Sequence, residues 1–527
     1  MELELNRRNF LKGALVTGGL IAATGLVGCA SSDSGSGDGA AEVANDATQE
    51  VTNEEIVPSE TMDCDICIVG AGLSGLSACV QAGELGATVV ALESTDSTGG
   101  GGRVGVEGSF GLGSSMFKEK GIEIDKTEIL RDELSQSQQR ADATLWLDLM
   151  DVAGENIDWL VGQGVEFSGE IDNYHTGKFD VFHWYKNGHC AEGYVPPMTT
   201  RAEELGVQFV YQTSAKQLIQ DESGKVVGVY AQNEESGEWV QVNAKAVVLA
   251  TGGIGSNPEL VARIGYDADR IGHMFEFAKG DGYQMAMSLG AKDMIPGCCD
   301  QNAPMIPALP QGQSNMLFGI EPEIPWVNQD CKRFYAEDIV VSNMSYSNPP
   351  KWNQKDYFMI WDQKVLDTFD SWGTDGNDIP ALIEEAVQTD NGSVYAADSF
   401  AELAEKFGLD GAALEETVSE YNRMCSEGKD ELFGKDPQYM QALDTPPYYM
   451  ARPIWVVFCV VGCIGTDHNA QVITPTFDPI PGLYAIGNDG CMLYRNIYTI
   501  DTPGTCSGWG IASGRKAVSH AYENYVK

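Results

Sequence analysis

The chain reads as an α/β protein in which a parallel-sheet domain is split by an inserted second domain. Three features predict this. Residues 64–93, CDICIVGAGLSGLSACVQAGELGATVVALE, run from a short apolar strand through a glycine turn and a helix to a second apolar strand that stops on Glu93. Two further apolar runs end on glycine, AVVLATGG at 246–253 and GLYAIG at 482–487, as strands buried on both faces of one sheet do. Between residues 296 and 449 the texture changes to prolines, tryptophans and helical stretches without parallel-strand runs, which marks the insertion.

The N-terminus comes before this fold. Residues 7–12, RRNFLK, precede a Gly/Ala-rich apolar stretch at 13–28 that is too short and too small-residued for a membrane span. They resemble a twin-arginine export signal, and residues 26–29, LVGC, resemble a lipobox whose cysteine, Cys29, becomes a lipidated N-terminus. The expectation is a signal peptide over 1–29 and a flexible linker over 30–60, rich in Ser, Asp, Gly and Glu. Export to the cell envelope follows, with the lipid at Cys29 as the membrane attachment. A chain of 527 residues with 33 Lys and Arg against 77 Asp and Glu, net charge -44, is long enough for two or three domains. It has no basic stripe to neutralise phosphates, so nucleic acid is excluded as a partner. The acidic excess reads as solubility in an exposed compartment, and a salt-adapted source gives the same excess.

The first part of the main domain spans 61–295. Gly70, Gly72 and Gly75 form G-x-G-x-x-G, in which the first glycine permits a tight turn, the second lets backbone approach a pyrophosphate, and the third lets the helix pack on the strand. Glu93 stands about 20 residues on, where a carboxylate hydrogen-bonds an adenosine ribose. Gly100, Gly101 and Gly102 belong to a segment that continues through Gly105, Gly108, Gly111 and Gly113, so much glycine that backbone is expected close against a flat ligand. One long amphipathic helical stretch is expected over 126–160. Residues 206–230 read as a strand, a loop and a hairpin turning at 222–224. The 13 cysteines are scattered, without a metal-binding set. Cys64 and Cys67 face opposite sides of one strand, and Cys298 and Cys299 read as ordinary thiols rather than a redox pair. After the insertion over 296–449, the main domain resumes over 450–527, with a last helix starting near Ser507.

In this order, Gly70, Gly72, Gly75 and Glu93, then Ala250, Thr251, Gly252 and Gly253, Gly280-Asp281-Gly282, Val327-Asn328 with Lys332-Arg333-Phe334, and 482–487 resemble the flavoprotein subunit of fumarate reductases. That superfamily also holds soluble fumarate reductases, urocanate reductase and 3-ketosteroid Δ1-dehydrogenase. The resemblance covers nearly all of the chain after residue 60. It implies a Rossmann-like FAD-binding domain split by an α+β capping domain, with the active site between them. It places FAD adenosine along the first β-α-β unit, with contacts at Leu73, Ser74, Ser94 and Gly100 to Gly102, and the segment holding Ala215 beside the adenine. Ala250, Thr251, Gly252 and Gly253 close over the diphosphate, and Asp281 lies in a loop near the cofactor. Gly487, Asn488 and Asp489 stand where the family has Gly-Glu on the ribityl chain; Asn488 departs from the pattern, and Asp489 is the acid available to substitute. Ser507, Gly508 and Trp509, at the start of the last helix, aim N–H groups at the flavin pyrimidine edge. No histidine occurs in the glycine-rich segment where related enzymes attach FAD covalently, so noncovalent FAD is expected.

The substrate residues of fumarate reductases are missing. Their proton-donating arginine would fall near Val341 or Ser342, their His-Thr pair becomes Phe458-Cys459, and their C-terminal arginine gives way to RNIYTIDTPG at 495–504. The Pro503-Gly504 run is closer to ketosteroid dehydrogenases, although the tyrosine they place before it is Thr502 here. A less charged enone or acrylate, larger or aromatic, is expected instead of fumarate. Proton donors are sought among Tyr335, Tyr346, Tyr494, Arg495 and Tyr498, led by Tyr498 and Arg495, with Tyr335 third. The expected protein is an exported FAD-dependent oxidoreductase that reduces an activated C=C bond by hydride transfer from flavin N5 and protonation by a protein acid. Its electrons come from an external donor such as a cytochrome or quinol-linked redox protein, since the chain has a single dinucleotide fingerprint and no haem motif. Two alternatives stand beside it: a dehydrogenase of the ketosteroid type running in the oxidative direction, and a non-catalytic FAD-containing binding protein.

Overall fold

The structure, a computed structural model, describes residues 56–527 apart from 175–176, 266, 344–345, 347 and 371–374. The expected signal peptide, the lipobox at Cys29 and all but the end of the linker lie outside the described residues.

The central sheet grows from the fingerprint strand. Glu60–Val69 pairs in parallel with Val89–Leu92 on one side and Trp239–Leu249 on the other. Pro479–Ala485 adds in parallel beyond Trp239–Leu249, and Gln208–Val210 beyond Val89–Leu92. Gln471–Ile473 closes one edge antiparallel, and the hairpin Thr213–Gln220 with Val226–Asn233 hangs from Trp239–Leu249. At the sheet's centre, residues 66–69, 89–92 and 246–249 read as continuous apolar runs because both faces are covered there. Ile66, Ile68 and Val248 pack under the helices Leu73–Glu84 and Thr505–Ala521, whereas Cys67, Val69 and Val247 join the core on the opposite face.

The inserted region builds its own sheet. Trp326–Asn328, Tyr357–Asp362, Tyr448–Ala451 and Val394–Ala397 pair antiparallel in that order, and the helices Phe400–Lys406 and Gly411–Glu427 pack on it through Phe400, Leu403, Leu414 and Tyr421. A three-stranded sheet of Ile271–His273, Ile454–Val461 and Cys299–Met305 joins chain from before, within and after the insertion.

Two local expectations change. The stretch read as one helix over 126–160 is two, Lys126–Gln136 and Ala143–Gly162. Gln138 and Gln139 take left-handed φ of 54° and 64°, and Asp142 caps the second helix by accepting from Thr144 N and Leu145 N. The last helix starts at Thr505, two residues before the expected Ser507, because Gly504 (φ 78°) turns the chain into it. The hairpin turns where expected, closed by Gly224 N donating to Asp221 O at 3.0 Å. No disulfide forms among the described residues. Cys298 and Cys299 are buried thiols, and burial pushes Cys298 up to about 12, which leaves them poor nucleophiles.

Candidate active site

The three fingerprint glycines carry the tasks their spacing implies. Gly70 turns with φ 105°, and a Cβ there would lie 2.3 Å from Ala250 O. A Cβ on Gly75 would lie 2.0 Å from Gly70 O, so the helix reaches the turn only because Gly75 has no side chain. Gly72 is the helix N-cap, and its missing Cβ faces open space, with Gly99 O nearest at 3.9 Å. That helix has no side-chain cap and no acid in its first turn, which leaves its N-terminal N–H groups for an anion. Glu93 ends the second strand and accepts from Ala71 N and Thr95 N, both at 2.9 Å. These bonds fix the carboxylate at the mouth of the turn.

Two connected cavities meet at this turn. The smaller is lined by Gly70, Glu93, Ser94, Gly100, Ala215, Thr251 and Asp281 among others. Burial raises the Asp281 carboxyl above the usual range. The larger shares Gly72, Gly101, Ala250, Gly252 and Phe277 with the first. It continues past Leu73, Ser74, Gly102, Gly487, Asn488 and Ser507. The helix Thr505–Ala521 begins on this cavity, also without a side-chain cap. Ser507 Oγ donates to Gly108 O at 2.8 Å and so ties that helix to the glycine-rich segment. A dinucleotide fits here: two uncapped helix N-termini face one continuous space, and a Cβ on Gly252 would meet nothing within 4 Å.

Some expected contacts lie just off the lining. Asp489 is fully buried, and its carboxylate accepts from Thr251 N at 2.6 Å and from Gly253 N at 2.9 Å. Burial pushes it up to about 6. It holds the 251–253 turn, and Asn488 takes the lining position. Gly253, Gly508 and Trp509 are also absent from the lining, because Gly253 backs onto Val460 O, Gly508 onto Phe110, and Trp509 onto the core behind the helix. Gly75 serves through packing alone.

The proposed acids separate in the same way. Tyr498 lines the larger cavity and packs on Tyr494, ring centroids 4.8 Å apart. Burial, with Cys506 and Cys459 nearby, raises its phenol well above the ordinary range, so it keeps its proton. Arg495 does not reach the cavity. Its guanidinium donates to Tyr494 O at 3.1 Å and to Met492 Sδ at 2.8 Å. Tyr335 is buried in the inserted region against Phe334 and under the Lys351 ammonium, 4.9 Å from its ring. Tyr346 donates to Gln136, Tyr494 pairs with Thr505, and Val341 is exposed.

Sequence reasoning missed the outer wall: Glu107, Tyr174, Phe182, Phe275 and Ile500 beside Tyr498. Glu107 carried a signal, since it interrupts the glycine run between Gly105 and Gly108. Tyr174 carried none, because it arrives from beyond the strand Phe167–Asp172. No Arg, Lys or His is found among the described residues lining either cavity.

Residues 65–500 match the family model described as FAD binding domain. The chain is 30% identical over 482 residues to vinyl phenol reductase of Lactiplantibacillus plantarum, covering 87% of this chain and 96% of the relative. It is 29% identical over 450 residues to urocanate reductase of Eggerthella lenta, covering 81% of this chain and 70% of the relative. Its fold is shared with the open conformation of a flavocytochrome c3 fumarate reductase, with a TM-score of 0.67, 22% identity, and 89% of this chain and 79% of that one covered. The chain therefore belongs to the FAD binding domain family and is an FAD-dependent oxidoreductase acting on C=C bonds.

Proposed function

We propose that the protein reduces an activated C=C bond in a neutral or weakly charged, aryl- or carbonyl-conjugated organic substrate. One observation carries this reading. The larger cavity presents Tyr174, Phe182, Phe275, Phe458 and Tyr498, and no cationic side chain among its described lining residues. A dicarboxylate such as fumarate gives up hydration of two charges on entering, which an apolar wall does not repay. A flat conjugated substrate gains area and ring contacts there. The names of the relatives, vinyl phenol reductase and urocanate reductase, support an aromatic or heteroaromatic alkene.

FAD would be held noncovalently. Glu93, Ser94, Ala215 and Asp281 face its adenosine end, the N-terminus of the fingerprint helix and the 250–252 turn face its diphosphate, and Asn488 and Ser507 lie along the larger cavity. Bound there, FAD supplies a hydride for the electron-poor alkene carbon. Tyr498 holds the proton for the adjacent carbon, and the aromatic wall keeps water out. Residues 296–449 are assigned as the cap, and none of their described residues lines either cavity. The electron donor is an external cytochrome or quinol-linked protein. Residues 7–12 and 26–29 direct export and lipid anchoring at Cys29.

Replacing Tyr498 by Phe tests the acid: turnover of a neutral alkene falls about 100-fold or more while flavin content is unchanged. Full turnover in that variant removes Tyr498 from the chemistry.

A further inference from the structure

We propose that Glu107 and Tyr174 form a phenol-recognition pair, so that the preferred substrate is an alkene conjugated to a para-hydroxylated aromatic ring. This rests on the alkene-reducing reading above and names the substrate class of that same site.

Glu107 is the only carboxylate among the described residues lining the larger cavity. Tyr174 lines it too and donates its Oη proton to Glu107 Oε2. The tyrosine is held in an unusual place. Its φ is 52°, a left-handed conformation that side chains rarely adopt. Its N–H donates to Asp172 Oδ1 at 2.9 Å, and its ring stacks on Trp184 at 5.5 Å and packs on Phe182 at 4.8 Å. Trp184 Nε1 donates to the same Asp172 oxygen at 2.9 Å. Strain of this kind persists only where the surroundings impose it, and at a cavity wall it points to a positioned group. Here the positioned group is the Glu107 carboxylate, in an otherwise apolar wall shared with Tyr498. Such a carboxylate repels a substrate acid and accepts strongly from a neutral hydroxyl.

The chemistry needs that acceptor. A styrene-type C=C bond without a carbonyl is not electrophilic. Loss of the para-hydroxyl proton to Glu107, coupled to protonation of the terminal alkene carbon by Tyr498, changes this. The O–H bonding pair becomes a C=O π bond, the ring electrons shift outward, and the alkene pair forms the new C–H bond. The result is a neutral quinone methide that is electrophilic at the benzylic carbon. When that carbon gains a hydride, the displaced pair returns to oxygen, which recovers its proton from Glu107. The net change is one hydride and one proton added across the double bond. Glu107 is the catalytic base and Tyr174 the positioning residue that aims it.

The test measures binding first, on FAD-loaded protein, by calorimetry with 4-ethylphenol and 4-ethylanisole. The wild type is expected to prefer the phenol about tenfold or more. Glu107→Gln is expected to bring the two ligands within about twofold, with flavin absorbance per protein unchanged. Tyr174→Phe is expected to weaken 4-ethylphenol about three- to tenfold and leave 4-ethylanisole unchanged. Equal binding of the two ligands by the wild type, retained preference in Glu107→Gln, or unchanged phenol binding in Tyr174→Phe overturns the pair. A second arm follows reoxidation of the dithionite-reduced protein by 4-vinylphenol and 4-methoxystyrene. Faster reaction with the phenol supports the pair. Equal rates overturn it and leave alkene reduction standing. Failure of every alkene overturns the alkene-reducing reading, and the calorimetry still decides the recognition claim.

Discussion

Gly75 and Gly252 are both glycines of the cofactor site, and their surroundings predict losses of different origin and size on adding one methyl group. A Cβ on Gly75 would sit 2.0 Å from Gly70 O. Backbone must move, so Gly75→Ala is expected to cost about 3 kcal/mol of stability or more and to lose FAD. A Cβ on Gly252 would meet no protein atom within 4 Å but enters the cavity, at φ 87°. Gly252→Ala should therefore cost only about 1–2 kcal/mol of backbone strain while weakening FAD retention. Thermal unfolding of FAD-free protein, set beside flavin content of purified protein, separates the two; equal unfolding shifts would contradict the assignment. The glycine tasks were legible in the sequence because they follow from backbone geometry alone. The roles of Asp489, Arg495 and Tyr335 were not. Which way Asp489 faces depends on the turn after Gly487 and on the distant Thr251 it receives bonds from. Arg495 turns back onto Tyr494 and Met492 beside it in the chain, and Tyr335 is buried within the inserted region, so side-chain chemistry alone does not bring either to the cavity.

The helix Lys126–Gln136 controls the segment that carries Tyr498. Its Glu133 is buried and accepts from Thr499 Oγ1 at 2.8 Å and from Thr502 Oγ1 at 2.6 Å, on either side of Ile500 in the cavity wall. Burial, helped by the charges of Asp132 and Asp501, pushes its carboxyl up from 4.5 to about 7, against the pull of the two threonines. The folded state thus holds a proton that the unfolded chain releases between those values. This contribution to stability is full below 4.5 and is lost as pH rises through about 7. Glu133→Gln should flatten the fall in unfolding midpoint between pH 5 and pH 8. An unchanged fall would show that Glu133 does not carry it. The break between this helix and Ala143–Gly162 escaped the sequence because the amphipathic period runs on across it. The cap at Asp142, with Thr144 two residues on, was the available sign.

Across the whole molecule, the parallel sheet was legible because the apolar ends of Glu60–Val69, Trp239–Leu249 and Pro479–Ala485 are buried and run into glycine at Gly70, Gly252 and Gly487. The antiparallel sheet of the insertion was legible only as a change of texture. Its strands are 3 to 6 residues long and are gathered from more than 100 residues of chain, between Trp326–Asn328 and Tyr448–Ala451. The active-site wall likewise assembles from four distant stretches, around Glu107, Tyr174, Phe458 and Tyr498, so its aromatic character could be inferred only from the fumarate residues that are missing. The single dinucleotide fingerprint predicts that anaerobic mixing with NADH leaves the flavin oxidised; rapid bleaching would place the electron source on a nicotinamide instead. The most direct test of the central claim is anaerobic reoxidation of dithionite-reduced, FAD-loaded protein by a panel of alkenes, followed by flavin absorbance. Neutral para-hydroxyaryl- and carbonyl-conjugated alkenes should reoxidise it, and fumarate should not. Reoxidation by fumarate faster than by any neutral alkene, or by no alkene at all, would contradict it.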